Sequence, residues 1–216
     1  MIKIELEDVF GFEPAIRGMR NPLNSWSKSD SDFESIIDEN GWNCEVYKIG
    51  EKDLSLMKKL VKAGTDHRKF MRMITVYVDI TAPLYWWKEF DTYKIGTVAN
   101  SCSTMHKIAD KEFTLDDFSH EHLCKDSIEV LERIIFHLNY WRDMFINDNK
   151  NKSYWWQMIQ LLPSSYNQKR TVMLNYEVLM NMYNARCHHK LDEWRTFCEW
   201  IKTLPYNELI TGKNKE

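Results

Sequence analysis

The side chains best suited by type to bind a ligand lie in one polar segment, PLYWWKEFDTYKIGTVANSCSTMHK, at residues 83–107. Its second half, from Gly96 to His106, is rich in hydroxyl and amide groups but has no carboxylate or ammonium, unlike an ordinary solvent loop. Ser101 and Ser103 offer hydroxyl groups that can donate to a carbonyl or phosphate oxygen. A hydroxyl-rich turn that caps a helix explains the same residues equally well, so both interpretations of Ser103 stay open.

A second set of polar residues lies in the last third of the chain. Apolar residues recur there at three- and four-residue steps and predict a helix over 168–200: Val172, Tyr176, Leu179, Met180, Tyr183, Leu191 and Trp194. Steps of about 100° per residue bring Asn175 and Arg186 almost onto one face, with Lys190 one turn further along. An amide, a guanidinium and an ammonium along one groove suit a phosphate or a pyrimidine carbonyl.

The order and spacing of the first segment resemble the flavin-dependent thymidylate synthases. In that family a Pro leads through a Gln to an Arg-His-Arg triplet and then to a Ser. Here Pro83 leads at matching distances to Thr92-Tyr93-Lys94 and to Ser103. His67 stands at the family's interval before Pro83, where the family places a His near the flavin.

The last third of the chain is similar to the same family. Its run of Leu-Pro, Asn and Arg is matched at the same intervals by Leu162-Pro163, Asn175 and Arg186. The resemblance therefore extends from about Gly64 to Trp194 and rests on spacing and residue type rather than on an intact signature.

The resemblance implies FAD as cofactor and dUMP as substrate. By their positions in the family's pattern, the residues implied to bind FAD are His67, Thr92, Tyr93, Lys94, Asn175 and Asn181. Those implied to bind the nucleotide are Glu89, Ser101, Ser103, Arg186 and Lys190, with catalytic roles for Ser103 and Arg186. The activity implied is reductive methylation of dUMP to dTMP by a homotetramer, with methylenetetrahydrofolate and NADPH as co-substrates.

Several family residues are replaced, and this keeps two other functions open. Thr92 and Lys94 stand where arginines would make bidentate bonds to phosphate, and Glu89 replaces a neutral Gln. Ser101 replaces the Glu of the family's substrate loop, and Lys190 replaces a His. One alternative is a non-catalytic homologue that binds a nucleotide or flavin; the other is an enzyme of the same fold that acts on a different nucleotide.

The predicted fold is α+β in a single domain over residues 1–216, with a central sheet flanked by helices and a long C-terminal helix. Alternation predicts strands at 2–10 and 70–81, and a loop from Gly11 to Asp32 separates the first strand from a helix over Glu51–Ala63 that ends at Gly64. Further helices are predicted from Pro83 onward and over 126–147.

The composition limits the partners and the location. A net charge of −3 with well-mixed signs predicts no nucleic-acid partner, and no apolar run is long enough for a membrane span or an export signal. The five cysteines form no CxxC pair, so we expect reduced thiols in the cytoplasm. Cys187-His188-His189 offers metal-ligand types, but neighbouring histidines on a helix diverge, so no metal is expected. Most tryptophans are predicted to be core or interface residues rather than ring-stacking groups.

Overall fold

The computed structural model describes residues 2–37 and 40–212. Within them the strands are β1 (Lys3–Phe10), β2 (Asp32–Ile37), β3 (Asn43–Lys48), β4 (Thr75–Pro83), β5 (Val98–Ser101) and β6 (Asn167–Asn175). The helices are α1 (Phe12–Arg20), α2 (Glu51–Lys62), α3 (Leu84–Phe90), α4 (Thr104–Lys107), α5 (Lys125–Asn147), α6 (Lys152–Leu161), α7 (Tyr176–Arg186), α8 (Asp192–Ile201) and α9 (Glu208–Thr211). Short 3-10 turns lie at Asn21–Leu23, Trp26–Lys28, Arg68–Met73 and Leu115–Asp117.

The strands form two sheets. Four strands hydrogen-bond in the order β1-β4-β6-β5, and β2 pairs antiparallel with β3 in a separate ribbon. This combination of a sheet with many helices confirms the α+β prediction.

The chain divides into two compact units. The first unit comprises Met1–Glu5, Val78–Lys94 and Ala99–Val172. The second unit comprises Leu6–Tyr77, Ile95–Val98 and Met173–Glu216. A single domain over residues 1–216 stays a prediction.

One hydrophobic cluster of the first unit lies between α5, α6 and the segment that precedes them. Its buried members are Ile108, Phe113, Phe118, Leu131, Leu138 and Met158. The predicted helix over 126–147 is confirmed as α5, whose 23 residues make it the longest helix in the described part of the chain. On α5, Leu131 and Leu138 are buried and further apolar residues are partly buried in the same cluster, so hydrophobic burial holds this helix pair together.

The second unit is organised around one buried ion pair. Asp53 on α2 is fully buried and accepts hydrogen bonds from Arg20 Nε at 2.6 Å and from the hydroxyls of Ser29 at 2.6 Å and Ser31 at 2.7 Å. Arg20 also donates to the backbone carbonyls of Ser25 and Lys28. The charge pair therefore fastens the segment after α1 to α2.

This network corrects the prediction of a loop from Gly11 to Asp32. The segment contains α1, in which Ala15, Ile16, Met19 and Arg20 are buried, followed by two 3-10 turns. Gly11 precedes α1 with φ +96°, a conformation that favours glycine. The Gly, Pro, Asn and Ser content that predicted a loop instead supplies the turns between short helical pieces.

The predicted long helix over 168–200 is also wrong. Residues 167–175 form β6, and α7 and α8 follow as separate helices of 11 and 10 residues. The burial of Gln168, Val172 and Leu174 follows the two-residue period of a strand.

The remaining predictions of elements need only small changes. The strand at 2–10, the helix over Glu51–Ala63 and the left-handed stop at Gly64 are confirmed by β1, α2 and φ +106°. The second predicted strand begins later, at Thr75, after a 3-10 turn. Among the described residues every helix is too short or too polar to cross a membrane.

Replacing Asp53 tests the buried ion pair. Asp53→Asn leaves the Arg20 guanidinium buried without its counter-charge, so we expect the free energy of unfolding to fall by about 3 kcal/mol or more in urea titrations at pH 7. Glu34→Gln, which removes the exposed partner of Lys48, is the control and should cost less than about 1 kcal/mol. Equal losses for the two variants would contradict the central role of Asp53.

The same carboxylate gives a pH dependence. Burial raises the pKa of Asp53, but the hydrogen bonds from Ser29, Ser31 and Arg20 outweigh it and hold the pKa below its ordinary value. Its stabilisation is therefore complete above the unfolded-state pKa of about 3.9 and is lost as the pH falls through the lower folded-state value. Stability measured from pH 6 downward should fall less steeply in Asp53→Asn than in the wild type.

Candidate functional site

In the first unit, the Thr92-Tyr93-Lys94 triplet forms the turn that closes α3. The Thr92 hydroxyl donates to the carbonyl of Glu89 at 2.7 Å, and the Thr92 and Tyr93 amides also donate to carbonyls of the last helical turn. The Thr92 hydroxyl group therefore caps the C-terminal end of α3, and its proton is used in that hydrogen bond. Lys94 is exposed to solvent.

Ser103 is an N-cap residue that keeps a donor for a ligand. Its hydroxyl oxygen accepts the backbone N–H of His106 at 3.1 Å, which confirms the capping interpretation. Since this bond uses a lone pair and not the hydroxyl proton, Ser103 can also donate to a ligand oxygen, and the two interpretations are compatible. Ser101 ends β5 and is exposed.

Strand β6 fastens both of these segments. The Gln168 side chain donates to the carbonyl of Cys102 at 2.9 Å, and the Cys102 amide donates to the carbonyl of Lys169 at 2.9 Å. The Arg170 guanidinium donates to Asp91 at 2.7 Å and lies over the Trp87 ring, 4.1 Å from its centroid. One strand thus holds the residue before the triplet and the residue before Ser103.

The sequence reading missed this role of Gln168 and Arg170. Gln168 also accepts from Arg170 Nε at 3.0 Å, and its backbone carbonyl accepts the indole N–H of Trp87 at 2.9 Å. Gln168 is buried, but its sequence neighbours Asn167 and Lys169 are polar, so no local signal in the sequence sets it apart.

In the second unit, Asn175 joins β6 to α7. Its side-chain oxygen accepts the backbone N–H of Val178 at 3.1 Å and so caps the helix. Gly96 has φ +78°, and a Cβ added there would lie 2.9 Å from Asn175 Nδ2 and 3.1 Å from Val178 Cγ2. The chain just after the triplet therefore passes close to the start of α7.

The other candidate residues of the second unit do not all lie on one helix, as the predicted groove required. Asn181 is exposed on α7, Arg186 is the last residue of α7, and Lys190 lies beyond it in the turn before α8. His67 is exposed in the turn before the 3-10 helix at Arg68–Met73.

A charged cluster that the sequence reading also missed anchors the first turn of α7. The buried Glu177 carboxylate accepts from Arg68 at 3.1 Å and from Arg72. Burial raises the pKa of Glu177, but the two arginines outweigh it and lower the pKa overall. The carboxylate therefore stays ionised at neutral pH and fixes both guanidinium groups.

Each unit carries polar groups that can donate to a ligand oxygen. Ser103 and Lys94 in the first unit, and Arg186 in the second, are donors of the kind that bind a phosphate or a pyrimidine carbonyl. At the triplet, Lys94 brings one ammonium where the family has two arginines, and Thr92 is committed to Glu89. Among the described residues no group of three or more His, Cys, Asp or Glu side chains is placed to hold a metal ion, and none of the five cysteines forms a disulfide.

Gly96→Ala tests the close approach of the 95–98 segment to α7. The added methyl group meets Asn175 and Val178 and forces a left-handed alanine, so we expect a loss of about 1–3 kcal/mol in the free energy of unfolding. Gly41→Ala is the matched control, because Gly41 has φ +82° and open space around it. A loss no larger than that of the control would show that the contact with Asn175 adds nothing to backbone strain.

Comparison with known proteins identifies the fold. No protein-family model and no curated protein matches the sequence. Two crystal structures of the flavin-dependent thymidylate synthase ThyX from Helicobacter pylori, with FAD and dUMP, match at TM-scores of 0.67 and 0.66 and 16% identity, covering 98% and 97% of this chain and 97% of theirs. The UMP/dUMP methylase PolB from Streptomyces cacaoi, bound with 5-Br UMP, matches at 0.64 and 15% identity over 98% of this chain and 94% of its own.

These likenesses extend over nearly the whole chain, so the resemblance read from Pro83, the triplet position and Ser103 reaches well beyond those segments. The protein therefore has the fold of the flavin-dependent thymidylate synthases and of the related UMP/dUMP methylase.

Proposed function

We propose that the protein binds a uracil nucleotide and acts on it as a flavin-dependent nucleotide methylase. The observation that carries the proposal is the likeness over nearly the full length of this chain to two kinds of enzyme, each solved with a uracil nucleotide. The retained hydroxyl of Ser103 and guanidinium of Arg186 support it, because both can donate to such a ligand.

The chain's own residues take part by binding and orientation. In the first unit, Ser103 can donate its hydroxyl proton to a carbonyl oxygen of a pyrimidine. In the second unit, Arg186 offers a permanent positive charge and planar donors to a nucleotide. Strand β6 holds the Ser103 segment through Gln168 and the triplet segment through Arg170, so the first unit presents them in a fixed arrangement. A bound flavin would supply the hydride chemistry that protein side chains lack.

The finer parts of this function stay predictions from the resemblance. They are dTMP as the product, methylenetetrahydrofolate and NADPH as co-substrates, a homotetramer, and a cytoplasmic location.

A non-catalytic nucleotide-binding protein is the second candidate. It is favoured by Thr92, whose hydroxyl proton is committed to the Glu89 carbonyl and so is not available to a cofactor phosphate. An enzyme of the same fold that acts on a different nucleotide is the third, and the single ammonium of Lys94 at the triplet favours it.

Flavin retention separates these candidates. The visible absorption spectrum of the purified protein is recorded after addition of FAD and removal of the excess by gel filtration. A retained flavin spectrum supports the redox enzyme, and methyl transfer to dUMP and UMP is then assayed. A colourless protein that still binds dUMP or UMP by calorimetry supports the non-catalytic candidate, and binding of neither nucleotide overturns the proposal.

Arg186→Ala tests the nucleotide site directly. Loss of a hydrogen bond from a charged donor should weaken dUMP binding about 10- to 100-fold by isothermal titration calorimetry. Arg17→Ala is the matched control, since Arg17 is exposed in the second unit and pairs on the surface with Glu13. Equal affinity in the two variants would remove Arg186 from the site.

A further inference from the structure

Arg186 is held against an aromatic ring. Its guanidinium carbon lies 4.8 Å from the centroid of the Trp194 ring, within the range of about 6 Å over which a cation is attracted to an aromatic face. Arg186 is half-buried and Trp194 is fully buried, so the contact is shielded from water on the ring side. Partial desolvation strengthens such a contact.

The Trp194 ring is itself fixed from several sides. Phe197 meets it edge to face at 5.8 Å, and His189 lies 6.4 Å away at a steep angle. The turn between α7 and α8 is closed by Arg195, which donates to the carbonyls of His189 at 2.9 Å and Lys190 at 3.1 Å. The surface that Arg186 packs on is therefore rigid before any ligand arrives.

The contact with the Trp194 ring affects how Arg186 can bind a ligand. A cation–π contact acts on the charge of the guanidinium group and does not itself require an N–H group as a hydrogen-bond donor. Holding the group on a fixed ring also removes part of the rotamer entropy that a long side chain loses on binding.

We propose that Trp194 is a positioning residue, which holds the Arg186 guanidinium in place for an anionic uracil nucleotide. The inference rests on the proposed function for its ligand, but the contact on which it depends can be measured without one.

A double-mutant cycle tests the coupling, with dUMP as the probe. Trp194→Phe should weaken dUMP binding about 3- to 10-fold in calorimetry, and it should have no further effect in the Arg186→Ala background. Trp200→Phe is the matched control, because Trp200 lies on the same helix and also packs on Phe197; its affinity should stay within about twofold of the wild type. An equal loss in both Arg186 backgrounds, or no loss in either, overturns the proposal.

A ligand-free measurement separates this inference from the proposed function. The Arg186 side-chain resonances, assigned by their loss in Arg186→Lys, should be shifted upfield by the indole ring current and should return toward random-coil values in Trp194→Leu. Random-coil positions in the wild type would overturn the inference even if dUMP binds. Wild-type protein that shows the upfield shift but binds neither dUMP nor UMP would instead refute the proposed function and leave the held guanidinium established.

Discussion

A carboxylate that is removed from water determines how the second unit is built. Asp53 is fully buried, so its charge requires donors, and it receives them from Arg20, Ser29, Ser31 and the amide of Asp30. Asp30 in turn accepts the amides of Lys52 and Asp53 at the start of α2. The helix is therefore capped by a residue far from it in sequence, and the segment from 20 to 31 cannot leave without exposing a buried charge.

In the first unit, polar side chains that are buried or half-buried also hold neighbouring segments together. Gln168 is a buried amide that donates to the carbonyl of Cys102 and accepts from Arg170, and Arg170 combines an ion pair with a ring contact. Both side chains lie on β6. The turn after α3 and the turn before α4, which carry the ligand-binding candidates, are held by this strand in addition to the local hydrogen bonds of Thr92 and Ser103.

The sequence predicted those elements in which burial and local preference agree. Helix α5 has a long apolar stripe, and β1 alternates regularly, so periodicity was sufficient for both. It failed for β6 because the apolar residues of the strand continue into the stripe of α7 without a break in spacing. Asn175, a strong N-cap residue, marked the boundary, but its cap function becomes evident only once the strand is recognised.

The residues of the candidate site likewise divide into those that the sequence suggested and those that it did not. Residue types at family spacing suggested Ser103 and Arg186, which stay predictions. The residues that contact these segments, Gln168 and Trp194, had no local signal, since both have polar or charged neighbours in sequence. Likewise α1 was hidden by its Pro and Gly content, and the buried partner of Arg20 lies on another helix. Contacts between distant segments are the part that a single sequence does not display.

The close approach of Gly96 to Asn175 restricts which residues these two positions can accept during evolution. A side chain at position 96 would collide with the Asn175 amide that caps α7. A smaller residue at position 175 would leave the space beside Gly96 empty. The two positions therefore constrain each other, although they are far apart in sequence and both residues are uncharged. Glycine should therefore persist at position 96 among descendants of this chain, because both the Asn175 amide and the φ of +78° oppose a side chain there.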